Sequence, residues 1–112
     1  MEVKPGMYIR EKELIQMSGV TRFSLLFWNE IREKVGEIVK AEMKKDKREN
    51  WSLWLTSKDD VKVILHGCSA GYGGEGPRGT IEVLESAGFN PKRVREIVFN
   101  KETFSLRRKV QA

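Results

Sequence analysis

The segment Leu65 to Thr80, LHGCSAGYGGEGPRGT, sets His66, Cys68, Ser69, Tyr72, Glu75, Arg78 and Thr80 among six glycines. Three chemical motifs overlap in it. Gly67-Cys68-Ser69-Ala70-Gly71 has the G-x-S-x-G spacing of a nucleophile elbow, in which a sharp turn exposes a serine hydroxyl. A serine triad needs a histidine base downstream, and the one histidine, His66, lies upstream of Ser69. Gly71 to Gly76 has the G-x-G-x-x-G spacing that brings a pyrophosphate close to backbone at a helix N-terminus. Too little chain follows for a doubly wound dinucleotide fold, and Pro77 to Gly79 interrupts the usual approach to the helix. Gly74 to Thr80 has the outer spacing of a P-loop, but Thr80 stands where the phosphate-binding lysine belongs, which excludes that class of nucleoside triphosphatase.

The physics common to these motifs remains. Glycines expose backbone N–H groups, a helix N-terminus is electropositive, and an arginine fork grips oxyanions. The expected ligand contacts are therefore Gly71, Tyr72, Gly73, Gly74, Gly76, Arg78, Gly79 and Thr80, with Thr80 as N-cap and Tyr72 stacking on a base or sugar. Arg107 and Arg108 are expected as second contributors to the same site. The ligand this implies is a phosphate-bearing small molecule resembling a nucleotide. The alternative is an ordinary mobile connection, although glycine is entropically costly to order and six exceed what a connection requires. His66 and Cys68 share a face if the preceding strand continues, which would suit a thiolate nucleophile; a buried inert cysteine is the alternative.

The elements that must position these residues follow from periodicity. Lys4-Pro5-Gly6 reads as a turn, and Met7 to Ile15 as a strand that runs into a helical turn. Phe23, Phe27, Ile31, Val35, Ile38 and Val39 recur at helical spacing behind the candidate caps Ser18 and Thr21, predicting a long amphipathic helix over about 20–47 that ends in KKDKREN. WSLWLT and VKVILHG, joined by SKDD, read as a hairpin with Trp51 and Trp54 on opposite faces. Thr80 to Gly88 reads as a short helix with Gly88 as its C-cap. VREIVFN and TFSLRRKV read as a C-terminal hairpin after a turn at Asn90 to Arg93. The class expected is α+β: one domain over residues 1–112, a mainly antiparallel sheet, and helices packed on it.

Composition narrows the function classes. A 112-residue chain that is 39% hydrophobic and 33% charged suits a compact domain rather than disorder. No apolar run reaches bilayer length and the first residues carry no signal-peptide pattern, so a cytoplasmic protein without membrane contact is expected. One cysteine and one histidine exclude a structural zinc site of the usual four Cys/His ligands. No metal or cofactor is expected, and the chemistry-bearing residues look too few for an enzyme. The net charge of +5 is uneven: residues 1–91 balance fourteen cations against fourteen anions, and residues 92–112 hold seven against two. That basic end suits a phosphorylated ligand or nucleic acid, or charges that protect an edge hairpin from aggregation. A homodimer is expected at this size. Trp51, Trp54 and the glycine segment offer the alternative of a protein-binding surface.

Overall fold

The computed structural model of the chain describes residues 7–109, so the turn expected at Lys4-Pro5-Gly6 lies outside the described residues. The described elements are β1 (Met7–Arg10), β2 (Glu13–Gln16), α1 (Thr21–Val35), β3 (Ile38–Lys45), β4 (Trp51–Ser57), β5 (Lys62–Leu65), α2 (Glu75–Ser86), α3 (Pro91–Asn100) and β6 (Phe104–Arg107). The strands form one sheet in the order β1-β2-β5-β4-β3-β6. Every pairing is antiparallel except β2 with β5, which is parallel. The class is α+β.

One face of the sheet carries the core. Leu106, Ala41, Leu55 and Val63 line up across four strands, and Met43, Leu53 and Leu65 across three in the next row. Against them pack Phe27, Trp28 and Ile31 of α1, Ile81 and Leu84 of α2, and Val94 and Val98 of α3, in a single buried cluster. The helices thus form one layer and the sheet the other. On the opposite face Ile64 is buried beside half-exposed Trp54, and the Lys44 ammonium sits 3.9 Å from the Trp54 ring centre. Trp51 and Trp54 do lie on opposite faces, each partly covered.

Five sequence expectations change. The helix expected over about 20–47 is two elements. Val35 ends α1, Gly36 follows at φ 91°, and residues 38–45 extend as β3 with Ile38, Ala41 and Met43 buried. Val35, Ile38 and Val39 satisfy a helical period, but β3 is clasped between β4 and β6, and that pairing decides. Ser18 and Thr21 are not its caps: the N-cap is Val20, and the Thr21 hydroxyl donates instead to the Gly67 carbonyl at 2.7 Å. The short helix begins earlier, at Glu75, which puts Gly76 and Gly79 inside it and Thr80 in its second turn. Its C-terminal end is as expected: Gly88 N–H donates to Glu85 O and Phe89 N–H to Leu84 O, the two bonds of a Schellman motif.

The first arm of the expected C-terminal hairpin is α3. The Asn90 side chain caps it by accepting from Arg93 N–H, Pro91 starts it, and Val94 and Val98 bury one face. Only Phe104–Arg107 is a strand, paired on one side with β3 and lying at the sheet edge. At the other end of the sheet, Met7 to Ile15 is not strand running into helix but a pair of antiparallel strands, β1 and β2.

Candidate functional site

The glycine segment leaves β5 at its C-terminal end, beside the parallel partner β2. His66 N–H continues the ladder to Gln16 O at 3.1 Å. Gly67 is then held from both sides, its N–H donating to Ser24 Oγ at 2.8 Å and its carbonyl accepting from Thr21 Oγ1. Further on, Gly71 N–H donates to Val98 O at 2.7 Å, and the buried Thr80 hydroxyl donates to Ser69 O at 2.7 Å. The segment is tied to α1, α2 and α3 by these bonds and is no loose connection.

The first turn of α2 is packed against it. A Cβ on Gly76 would stand 1.9 Å from Ser69 Oγ and 3.0 Å from Tyr72 OH, so only glycine permits this approach. The room so left is taken by a hydroxyl pair, Ser69 Oγ and Tyr72 OH, 2.8 Å apart. The Tyr72 ring meets the Trp51 ring at 5.8 Å between centres with the planes tilted 49°. Trp51 is fixed in turn by its indole N–H, which donates to Glu102 O at 3.0 Å, and by the Lys45 ammonium 4.7 Å from its ring centre. That ammonium pairs with Glu102 at 3.1 Å, and this hydrogen bond, more than any other contact, holds its pKa above the usual lysine value.

Between this segment and the β3–β4 turn lies a cleft of about 710 Å³. Its polar lining comes from Thr21, Asp46, Glu49, Asn50, His66, Ser69, Tyr72 and Glu75, with Trp51 as an aromatic wall. Asp46 shapes the turn by accepting from the N–H groups of Arg48 at 2.8 Å and Asn50 at 3.0 Å. The bond from Asn50 leads in pushing its carboxyl below the usual range, so it is ionised at neutral pH. Burial pushes the His66 imidazole below its ordinary value against a weaker pull from Asp46, so it is neutral there. Asp46, Glu49 and Glu75 line the cleft, and no lysine or arginine does. The positive end of α2 is already answered by Glu75 in its first turn.

The residues expected to form one anion site are therefore dispersed. Tyr72 and Gly76 line the cleft. Gly74 precedes α2 as its N-cap in extended backbone, and Gly73 has open space around it. Gly71, at φ 89°, packs on Glu102, Gly79 packs on Thr21, and Thr80 spends its hydroxyl on Ser69 O and Gly76 O rather than capping. Arg78 lies in a separate groove with Glu82, Glu85 and Arg95. Arg107 and Arg108 line a third hollow with Gly88, Asn90 and Arg93. Cys68 is fully buried and outside the cleft; burial pushes its thiol up to about 12, only partly offset by a hydrogen bond with Thr80. It is inert as a nucleophile.

Asp46, Glu49 and Asn50 belong to KKDKREN, which helical spacing makes the end of a helix and the structure makes the turn between β3 and β4. The signal that marks them is local: an Asp that bonds its own backbone two and four residues on, just before the aromatic strand WSLWLT, is a hairpin-turn pattern. Compared with protein-family models, with curated proteins and with solved structures, the chain matches none. Among the described residues no helix is long and apolar enough to cross a membrane, and no group of three His, Cys, Asp or Glu side chains is placed to hold a metal ion.

Proposed function

We propose that the protein is a small binding protein whose cleft, walled by the glycine segment and Trp51, takes a small polar ligand bearing a positive charge, such as an amine, guanidinium or quaternary ammonium group. The observation that carries this reading is the lining: Asp46, Glu49 and Glu75, a neutral histidine and two aromatic faces, beside one cation, Lys45, which is taken up by Glu49 at 3.7 Å and Glu102 at 3.1 Å and leaves Asp46 and Glu75 with no ion pair among the described residues. Carboxylates and ring faces together recognise cations, and a phosphate there would meet the repulsion of Asp46 and Glu75, while the nearby Lys45 ammonium is already paired with two glutamates. In this reading the glycine segment is a ligand-binding wall, as the sequence leads one to expect, while the charge of the ligand is the reverse of that expected. Binding rather than turnover fits the side chains: Ser69 Oγ is engaged by Tyr72 OH, and among the described residues no hydrogen bond joins His66 to Ser69. A sequestering or sensing role in a reducing compartment such as the cytoplasm suits a site with no activated nucleophile and a chain with one free thiol.

The test is a thermal-shift panel of arginine, lysine, choline and a diamine set against acetate and adenosine. A ligand held by the native state raises Tm by mass action. The cationic compounds should raise it for the wild type, and Glu75→Gln and Trp51→Ala should lose most of the shift. A panel in which no cation shifts Tm, or in which Glu75→Gln responds like the wild type, sinks the reading.

A second reading concerns self-association. Val20, Phe23 and Leu26 are 51%, 44% and 57% exposed at successive three-residue steps on and just before α1, with Met17 nearby at 49%. Large apolar side chains grouped in this way on a small domain fit a homodimer packed through α1.

A further inference from the structure

The positive charge absent from the cleft is gathered elsewhere. Arg93, Arg107 and Arg108 border a hollow of about 290 Å³ between the start of α3 and the edge strand β6, and no carboxylate lines it. Arg108 is fixed there. Its Nη1 donates to Ile38 O at 2.8 Å and pairs with Glu37 at 3.3 Å, while the rest of the guanidinium lies over Gly88, where a Cβ would be 2.8 Å from Nη2. Arg93 and Arg107 are exposed, and among the described residues neither side chain has an ion pair or hydrogen bond. The N-terminal end of the ten-residue α3 opens beside them, with Asn90, its cap, in the lining, and buried Val94 and Leu106 behind.

We infer that this hollow is a phosphate-binding site separate from the cleft. Arg93 and Arg107 supply free planar forks for phosphate oxygens. Arg108 supplies a held charge, and the electropositive end of α3 adds to the field. A guanidinium with no protein partner at the rim of a hollow that lacks carboxylates is set to gain one from solution. The volume is at the small end for ligand pockets, which suits a phosphate with a sugar attached rather than a dinucleotide. The same chemistry is presented by a nucleoside monophosphate and by one backbone phosphate of a single strand, and Lys92 and Lys109 lie next in sequence to Arg93 and Arg108 to extend contacts along a strand.

The experiment uses the full chain with three probes: adenosine monophosphate, adenosine, and a fluorescent single-stranded oligonucleotide across a salt series. Binding of the monophosphate but not adenosine, weakened about tenfold or more in Arg93→Gln and Arg107→Gln, assigns the site to small phosphate esters. Oligonucleotide binding alone, with the same two variants lowering the salt slope by about one each, assigns it to a nucleic-acid backbone. Arg78→Gln, which alters a separate groove, should bind like the wild type in either case. The inference is overturned if neither phosphate probe binds the wild type, or if Arg78→Gln weakens binding as much as the two hollow variants do. Arg93 and Arg107 are exposed, so both variants should melt with the wild type and keep the result readable.

Discussion

Gly76 concentrates the logic of the cleft into one missing methyl group. In an open helix position alanine is favoured over glycine by about 1 kcal/mol, but here its Cβ would collide with Ser69 Oγ. Gly76→Ala should therefore lower stability by about 1–3 kcal/mol, the usual cost of overpacking, read as a fall in Tm. Removing the obstructing hydroxyl should restore part of it: Ser69→Ala/Gly76→Ala is expected to be more stable than the sum of the two single changes, because contacting residues couple. Strict additivity in that cycle would mean that the two do not touch. At this scale the sequence made Tyr72 and Gly76 legible, because a tyrosine among glycines after a strand invites a ligand reading. It did not reveal that Arg78 turns away from them. A residue two positions from a site on a helix points elsewhere, and a helix beginning at Thr80, as the sequence predicts, leaves the direction of Arg78 undefined.

At the scale of elements, two kinds of signal misled for opposite reasons. Residues 94–99 are rich in Val, Ile and Phe, which favours a strand by composition, yet Asn90 and Pro91 in front of them form a helix start and prevail. Asn90→Ala removes the oxygen that accepts from Arg93 N–H and should cost about 1 kcal/mol, measured by chemical denaturation. An unchanged midpoint would show that Pro91 and the buried Val94–Val98 face suffice alone. Residues 38–45 failed in the other direction. Their apolar spacing extends the helical pattern of α1, and only the presence of two neighbouring strands makes the extended form better. The hairpin of β4 and β5 was legible because its alternation and its turn are both local. Pairing of β3 with β6 joins residues 40–43 to 104–107, and no window of sequence contains that information.

For the whole molecule, surface charge and apolar surface are segregated. Carboxylates line the cleft, arginines border the hollow by α3 and β6, and bare apolar side chains follow α1. The C-terminal surplus of positive charge was legible as a count, and its separation from the glycine segment was not, because that depends on which face of the sheet edge α3 and β6 occupy. If α1 mediates a homodimer, sedimentation of the wild type should give twice the chain mass, and Leu26→Glu should give the single mass without loss of helix content. A wild type that sediments as a single chain at all concentrations removes the dimer.

The parallel pairing of β2 with β5 also sets the order in which the molecule can be assembled. Local ladders such as β4 with β5 close a short loop, whereas residues 13–16 must wait for residues 62–65 to arrive, with α1, β3 and β4 between them. His66 N–H reaches Gln16 O only after that closure, so the cleft is completed by slow, long-range contacts rather than by the fast hairpin that leads into it. A nascent or stretched chain would display the hairpin and its tryptophans before it had anywhere to hold a ligand. Ligand competence is in this sense a report that the β1–β2 pair has joined the rest of the sheet.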